Sequence, residues 1–311
     1  MKLRNSGEAI SKVGFGAWAI GGVQYGEVTE ADAVETLETY FALGGNFIDT
    51  ARAYHESERI IGEVTARLGN RENIFIASKT KQLTAEGIHE ELEATLRLLQ
   101  RDYVDLYYLH APPDSPDDMN RILDVFSDLK AAGKIRLIGA SIKGPDVTQH
   151  TVDLCRQYIN TGRVDALQVI YSIFRQRIAE MFTAAHEHDV AIVARTSLES
   201  GFLTGKYKPG HQFGGDDHRQ RWSRARLETI LSHVAEVEQI ALKSPYETLS
   251  QVALRFALDT PGIDTIIPGA KNARQLRSNL SILNLPPLDE AVYKHLIQRF
   301  GNPDPIYNTG D

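Results

Sequence analysis

FIDTARAYHESERIIG, residues 47–62, decides how this chain is read. It opens within a short apolar strand, NFIDT (46–50), and turns helix-like after Ser57, with the helix running to about Leu68. A strand that only filled a core would have no use for Asp49 at its end, or for Tyr54 in the loop that follows. Strand, polar end, loop, helix: the same unit recurs on both sides of this stretch. Upstream, VGFGAWAIGG (13–22) precedes a helix opened by Thr29 and Asp32 in a capping-box arrangement, with Val34, Leu37 and Phe41 on one face and Gly44-Gly45 at its end. Downstream come NIFIASK (73–79), a helical stripe of Ile88, Leu92, Leu96 and Leu99, and YVDLYYLH (103–110). A helix started by Ser115, Pro116 and Asp118 and stopped at Gly133 leads to KIRLIGAS (134–141). The pattern continues with a helix near 145–159, DALQVIYS (165–172), a helix near 177–187 and VAIVARTS (190–197). An insertion at about 204–223 precedes helices near 224–242 and 248–258, then IDTIIPG (263–269) and a helix near 272–282.

Eight strands alternating with helices predict an α/β chain folded as a (β/α)8 TIM barrel, with a short N-terminal β-hairpin over the first twelve or so residues. A doubly wound sheet is the alternative, because alternation alone does not close a barrel. The 311 residues suit one barrel domain spanning 1–311, and no low-complexity linker divides them.

Hydrophobic content of 42% and charged content of 24% fit a soluble globular protein. The net charge of −7 and the absence of a Lys/Arg block argue against nucleic acid as a partner. No apolar run approaches the ~20 residues that span a bilayer, so no membrane partner is expected. The N-terminus has no apolar segment of signal-peptide type, and the lone Cys155 suits a reducing, cytoplasmic setting. Oligomeric state is not readable.

Barrel active sites form where strands hand over to the following loops. The polar residues there are Asp49 with Tyr54 just beyond, Lys79, His110, Ser141, Gln168 with Tyr171, and Arg195. Each alone has an ordinary reading: Asp49 a cap, Tyr54 a half-buried ring, Lys79 a solvated charge, His110 a packing residue. Together, at successive strand ends, they make a chemical set. A phenol with a pKa near 10 is a poor acid at neutral pH, and a lysine cation beside Tyr54 would stabilise the phenolate. Asp49 would hold Lys79 charged and in place. His110 would polarise a carbonyl or share a proton with Tyr54. Such a set donates a proton to a carbonyl oxygen as a nucleophile attacks its carbon.

The motifs GFGAWAIGG, FIDTARAYHESERIIG, IASK, YYLHAP, GAS, LQVIYS, ARTSLESGFLTGKY and IPGAKNARQLRSN, in this order and spacing, resemble the aldo-keto reductase superfamily, bacterial type, along nearly the whole chain. The resemblance implies a barrel that binds NADPH, or NADH, without a Rossmann fold, and reversible hydride transfer between nicotinamide and a carbonyl or alcohol. It implies a catalytic tetrad of Asp49, Tyr54, Lys79 and His110, with Tyr54 as general acid or base. Ser141 and Gln168 match positions that hold the carboxamide. Ser197, Leu198, Gly201, Leu203 and Lys206 belong to a cofactor-binding loop along the pyrophosphate, and Gly269, Lys271, Gln275 and Asn279 to the adenosine and 2′-phosphate end, where the amides opening a helix would also suit a phosphate. Three positions depart from the family pattern. Ile142 stands where asparagine is common, Arg195 where an aromatic ring often stacks on the nicotinamide, and Gln275 where arginine meets the 2′-phosphate. A guanidinium can also stack, and Lys271 compensates for Gln275, so NADP is favoured and NAD remains possible. Substrate contacts are expected from Trp18, Tyr54 and His110, and from Tyr25 and the stretches near 211–222 and 302–309. Small aldehydes, ketones and sugars all fit that mixture of groups.

Other signals are weaker. GFLTGKY lacks the spacing and the Ser/Thr of a P-loop. HEHD (186–189) crowds its ligands at a helix end, so no metal is expected. The arginine-rich stretch 219–226 reads as a surface loop or cofactor lid. A cofactor-sensing regulatory protein is the alternative function; a barrel using Lys79 as a Schiff-base nucleophile is a third, which Asp49 disfavours by keeping that lysine charged.

Overall fold

The computed structural model describes residues 3, 7–21, 28–69, 71–142, 147–214 and 217–301. Eight parallel strands pair in sequence order: β1 (Phe15–Gly16), β2 (Phe47–Asp49), β3 (Phe75–Thr80), β4 (Val104–His110), β5 (Ile135–Ser141), β6 (Ala166–Ile170), β7 (Ala191–Arg195) and β8 (Thr265–Ile266). The ring is joined between its ends by parallel bridges, Val13 with Ile266 and Gly16 with Gly269. This is the (β/α)8 architecture, not a doubly wound sheet.

Helices alternate with the strands: α1 (Glu30–Ala42), α2 (Ser57–Ala66), α3 (Ala85–Leu99), α4 (Pro116–Ala131), α5 (Gln149–Asn160), α6 (Phe182–Glu187), α7 (Arg224–Ala241), α8 (Leu249–Asp259), α9 (Ala273–Leu280) and α10 (Glu290–Phe300). Their ends follow the expected chemistry. Thr29 accepts from the Asp32 amide and donates to the Asp32 carboxylate, and Ser115 caps α4 with Pro116 in its first turn. Gly44 and Gly133 take positive φ just beyond α1 and α4.

Three elements differ from the sequence reading. The run 13–22 is strand only at Phe15–Gly16, and Ala17–Ile20 coils into a 3₁₀ turn. Gly16 explains part of this: a Cβ there would lie 2.6 Å from the Ile267 carbonyl oxygen, so the chain crosses β8 at backbone contact. The helix expected near 177–187 is a 3₁₀ turn (Arg177–Met181) followed by α6. Helix α10 has no counterpart in the sequence reading, although Asp289 caps it and Leu296 and Phe300 bury its inner face. The hairpin expected over the first twelve or so residues falls partly outside the described residues; within them the Leu3 N–H donates to Glu8 O and the Gly7 N–H to Leu3 O.

Period-two alternation sorts each strand into an outer face against the helices and an inner face within the barrel. The outer residues join the helical stripes, including Ile88, Leu92, Leu96 and Leu99, in one large core. The inner residues form layers. Leu3 and Ile10 of the N-terminal segment pack with Phe47, Phe75, Leu106 and Leu137 in the apolar inner cluster. Tyr108 fills the layer above, beside Gly139, whose missing Cβ leaves room for its ring. One step further along the strands the inner positions become Asp49, Lys79, His110, Ser141, Gln168 and Arg195. The barrel is thus apolar for most of its depth and polar only at the strands' carboxyl ends.

Close helix packing gives a test. Gly62 of α2 lies against the backbone of α3, and a Cβ there would fall inside contact distance of the Leu98 carbonyl oxygen. On an isolated helix Gly→Ala stabilises by about 1 kcal/mol. Here overpacking costs about 1–3 kcal/mol, so Gly62→Ala is expected to lower the urea midpoint, whereas a rise would show that the two helices separate freely.

Candidate active site

Lys79 is fully buried, and its ammonium has three protons to place. It donates to Asp49 Oδ1 at 2.5 Å, to the Thr50 carbonyl at 2.8 Å and to Tyr54 Oη at 3.4 Å. The second Asp49 oxygen accepts from Gln168 Nε2 at 2.7 Å, and Gln168 Oε1 accepts from Ser141 Oγ at 3.1 Å. One polar chain therefore runs across the barrel from β5 and β6 through β2 to β3. Burial raises the Asp49 carboxyl above its ordinary range, while Lys79, Gln168 and Arg195 pull it back.

Tyr54 reaches this point on a tight turn after β2, closed by its N–H donating to the Ala51 carbonyl at 2.9 Å. Its ring meets His110 edge-on at 5.8 Å between centroids, and Trp18 lies 6.3 Å away on the other element. His110 is pushed down to about 3, chiefly by burial and then by the charges of Lys79, Lys81 and Arg195, so it is neutral at physiological pH. Its Nδ1 is buried without a hydrogen-bond partner among the described residues.

A cavity of about 620 Å³ opens from these groups. Trp18, Asp49, Tyr54, His110, Gln168 and Arg195 line one part of it; Lys206, Arg219, Lys271, Gln275 and Asn279 line another. Ser197, Leu198, Gly201 and Gly269 complete the wall on the expected side. Lys79, Ser141 and Leu203 do not reach it: Lys79 and Ser141 are buried behind Asp49 and Gln168, and the Leu203 side chain is buried while its amide donates to Leu198 O. Tyr25 and 302–309 fall outside the described residues. The departure at position 142 is rationalised by Arg195, whose Nη2 donates to the Ile142 carbonyl at 3.0 Å, a bond that any residue there could accept.

The loop after β7 is unusual in its backbone. Thr196, Glu199, Ser200 and Gly201 all have positive φ. Buried Glu199 is gripped by Arg175 and Ser172, which fixes the loop from beneath. Arg219 packs under the same loop, donating to Ser200 O at 2.7 Å, pairing with Asp217 at 2.6 Å and lying over the rings of Tyr207 and Phe213. Sequence reasoning placed Arg219 in a surface loop or lid and within the substrate-contact stretch near 211–222. Its signal was the run of aromatic residues around it, which a guanidinium can cover.

These residues suit a dinucleotide. The wall is long, Tyr54 and His110 lie on one part of it, and Lys206, Arg219 and Lys271 supply positive charge elsewhere along it. Ser197 Oγ is buried with no partner among the described residues, a donor left for a bound group. At the far end Asn279 holds the Gly269 carbonyl, and Gln275 accepts from the Lys271 amide. The Gln275 amide is already taken by Asn272, so α9 offers fewer free amides than a bare helix start. The HEHD histidines engage backbone carbonyls, His186 with Gly262 and His188 with Ala184, and no metal-ligating cluster occurs among the described residues.

His110 sets a pH dependence. Unfolded, the imidazole takes a proton near its ordinary ~6.5; folded, it does so only near 3. The unfolded chain binds the extra proton throughout that interval, so this contribution to stability is complete above ~6.5 and is lost as pH falls toward the folded value. Between pH 7 and pH 4 the urea midpoint of the parent is expected to fall further than that of His110→Gln. Equal falls would mean that the imidazole protonates freely in place.

The family model for Aldo/keto reductases matches residues 12–298. An aldo-keto reductase of Bacillus subtilis is 30% identical over 292 residues, covering 89% of this chain and 86% of its own. The NADH-specific methylglyoxal reductase of Escherichia coli is 28% identical over 305 residues, covering 89% and 90%. The solved holo form of an aldo-keto reductase from Bacillus halodurans is similar in fold, with a TM-score of 0.78 at 24% identity and coverage of 96% and 95%. The chain belongs to the aldo/keto reductase family.

Proposed function

We propose that this protein is an NADPH-dependent oxidoreductase that interconverts a small aldehyde, ketone or sugar with its alcohol, using Tyr54 as general acid and base. The observation that carries the reading is the buried Lys79 ammonium, ion-paired to Asp49 and donating to Tyr54 Oη at the edge of an open cavity. When bound, the nicotinamide supplies the hydride, which no side chain can.

In reduction, Tyr54 gives its hydroxyl proton to the carbonyl oxygen. The phenolate left behind is stabilised by the Lys79 cation, which Asp49 keeps charged and aimed. Neutral His110 donates a hydrogen bond to the same oxygen and orients the substrate, adding no competing charge. In oxidation the phenolate takes the alcohol proton back. Gln168 holds Asp49, Ser141 behind it holds Gln168, and the Gln168 amide at the cavity wall is what a carboxamide would meet. Lys206 and Arg219 suit the pyrophosphate, and Lys271 a 2′-phosphate, while Arg195 offers a planar face to the nicotinamide. A Schiff base at Lys79 fits poorly, because all three of its protons are placed on fixed acceptors.

No described helix is long and apolar enough to cross a membrane. A single barrel domain working in the cytoplasm completes the proposal.

Tyr54→Phe is expected to lower kcat by at least about 10²-fold, the usual scale of general acid catalysis, while NADPH still binds in a fluorescence titration. Lys271→Met is expected to weaken NADPH binding about tenfold and to leave NADH binding little changed. A Tyr54→Phe variant as fast as the parent would sink the assignment; equal affinity for both dinucleotides in the parent would remove only the NADP preference.

A further inference from the structure

Strand alternation carries past the end of β3. Thr80 turns outward, and its hydroxyl donates a hydrogen bond to the Glu91 carboxylate of α3. Lys81, the next residue, returns to the inner side and lines the same cavity as Trp18, Tyr54 and His110. Two residues of strand rise about 6–7 Å, so Lys81 begins one layer above Lys79, at the height of a substituent on a substrate whose carbonyl meets Tyr54. The two lysines differ in kind. Lys79 is buried and fully bonded, whereas Lys81 is exposed and makes no ion pair among the described residues.

Charge in the cavity is one-sided. Among the described lining residues, Lys81, Arg195, Lys206, Arg219 and Lys271 face a single carboxylate, Asp49. Asp49 is committed to Lys79, and Arg219 is matched by Asp217. Lys206 and Lys271 belong to the end assigned to phosphates. At the end where Tyr54 and His110 lie, Lys81 is a charge with no ion pair among the described residues. The field of Lys81 reaches His110, which it helps to keep unprotonated. An exposed lysine is usually a solvated charge; this one differs in standing over the reacting groups, in a cavity whose carboxylate is already engaged.

We propose that Lys81 selects carbonyl substrates bearing an anionic group, a carboxylate or a phosphate, a short distance from the reacting carbon. The inference rests on the oxidoreductase reading above. It makes Lys81 a specificity-determining residue, with no part in the proton transfer.

The test compares kcat/KM within two pairs that differ in an anionic group: 4-formylbenzoate against its methyl ester, and glyceraldehyde 3-phosphate against glyceraldehyde. The parent is expected to favour the anionic member of at least one pair by about fivefold or more, the scale of one partly exposed ion pair, with the ratio shrinking as salt is added. The pair that responds identifies the anion. Lys81→Arg is expected to keep the ratio, Lys81→Met to bring it close to one, and Lys81→Glu to invert it. Saturation-transfer NMR with benzoate and benzamide should give the same order without turnover. A ratio near one in the parent for both pairs, or a parental ratio retained by Lys81→Met, would overturn the inference while leaving the reductase intact. Lys81-dependent preference for benzoate with no aldehyde reduced would uphold the anion site and overturn the oxidoreductase reading instead.

Discussion

A lysine and an aspartate held together at the bottom of a solvent-excluded layer are costly to keep there. Removing such charges from water costs several kcal/mol per ion, and the pair holds only if its remaining protons and lone pairs are satisfied. In this barrel the requirement organises four strands. Lys79 of β3 engages Asp49 and the Thr50 carbonyl beside β2, and Asp49 draws in Gln168 of β6 and, through it, Ser141 of β5. The third ammonium proton is the one the barrel wall cannot satisfy, and it points to Tyr54. A structural obligation thus leaves a cation beside a phenol. Losing one partner of such a pair typically destabilises by about 3–5 kcal/mol, so the reactive arrangement and the integrity of the layer are hard to separate.

The loops around this layer show the opposite economy. Positive φ at Thr196, Glu199 and Ser200 costs of order 1 kcal/mol or more apiece in residues that carry a Cβ. The conformation persists because Glu199 cannot leave Arg175 and Ser172 without exposing a buried carboxylate to an apolar surround. Ala111 directly after His110 is bent in the same way, at φ 99°. Rigid strands fix Asp49, Lys79 and His110, and over-determined loops fix the wall on which a dinucleotide would lie.

How much of this could be read from the chain depends on the range of the interaction. Inner-face residues such as Asp49, Lys79, His110 and Gln168 were legible because a period of two and a strand end suffice to aim them. The helical stripe from Ile88 to Leu99 was legible for the same local reason. Strand β1 was over-read, because the apolar run 13–22 has the composition of an extended segment while Gly16 must pass against the Ile267 carbonyl and the chain then coils. Leu203 was placed by its motif in the loop expected along the pyrophosphate; its side chain is buried there and its amide donates to Leu198 O. Arg219 was read only as part of longer stretches, and Lys81 went unassigned, for different reasons. Arg219 depends on contacts with Ser200 and Tyr207 that no local pattern encodes. Lys81 has no local feature that separates it from any lysine beyond a strand.

The seam between β8 and β1 is thin. Each strand is two residues long, and their junction relies on isolated bridges at Val13 and Gly16. Among the described residues three backbone bonds cross it, Gly14 N–H to Ile266 O, Ile266 N–H to Lys12 O and Gly16 N–H to Pro268 O, and the Thr265 hydroxyl adds a fourth to the Ser11 carbonyl. A ladder this short has little cooperativity of its own, so its amides should exchange with solvent well before those of β3 to β6. The barrel consequently has a compliant line along its circumference. Gly269 and Lys271 lie beside that line, while Lys79 sits across β2 from it, so the wall nearest the adenosine end can breathe without loosening the grip on the proton that Tyr54 would give away.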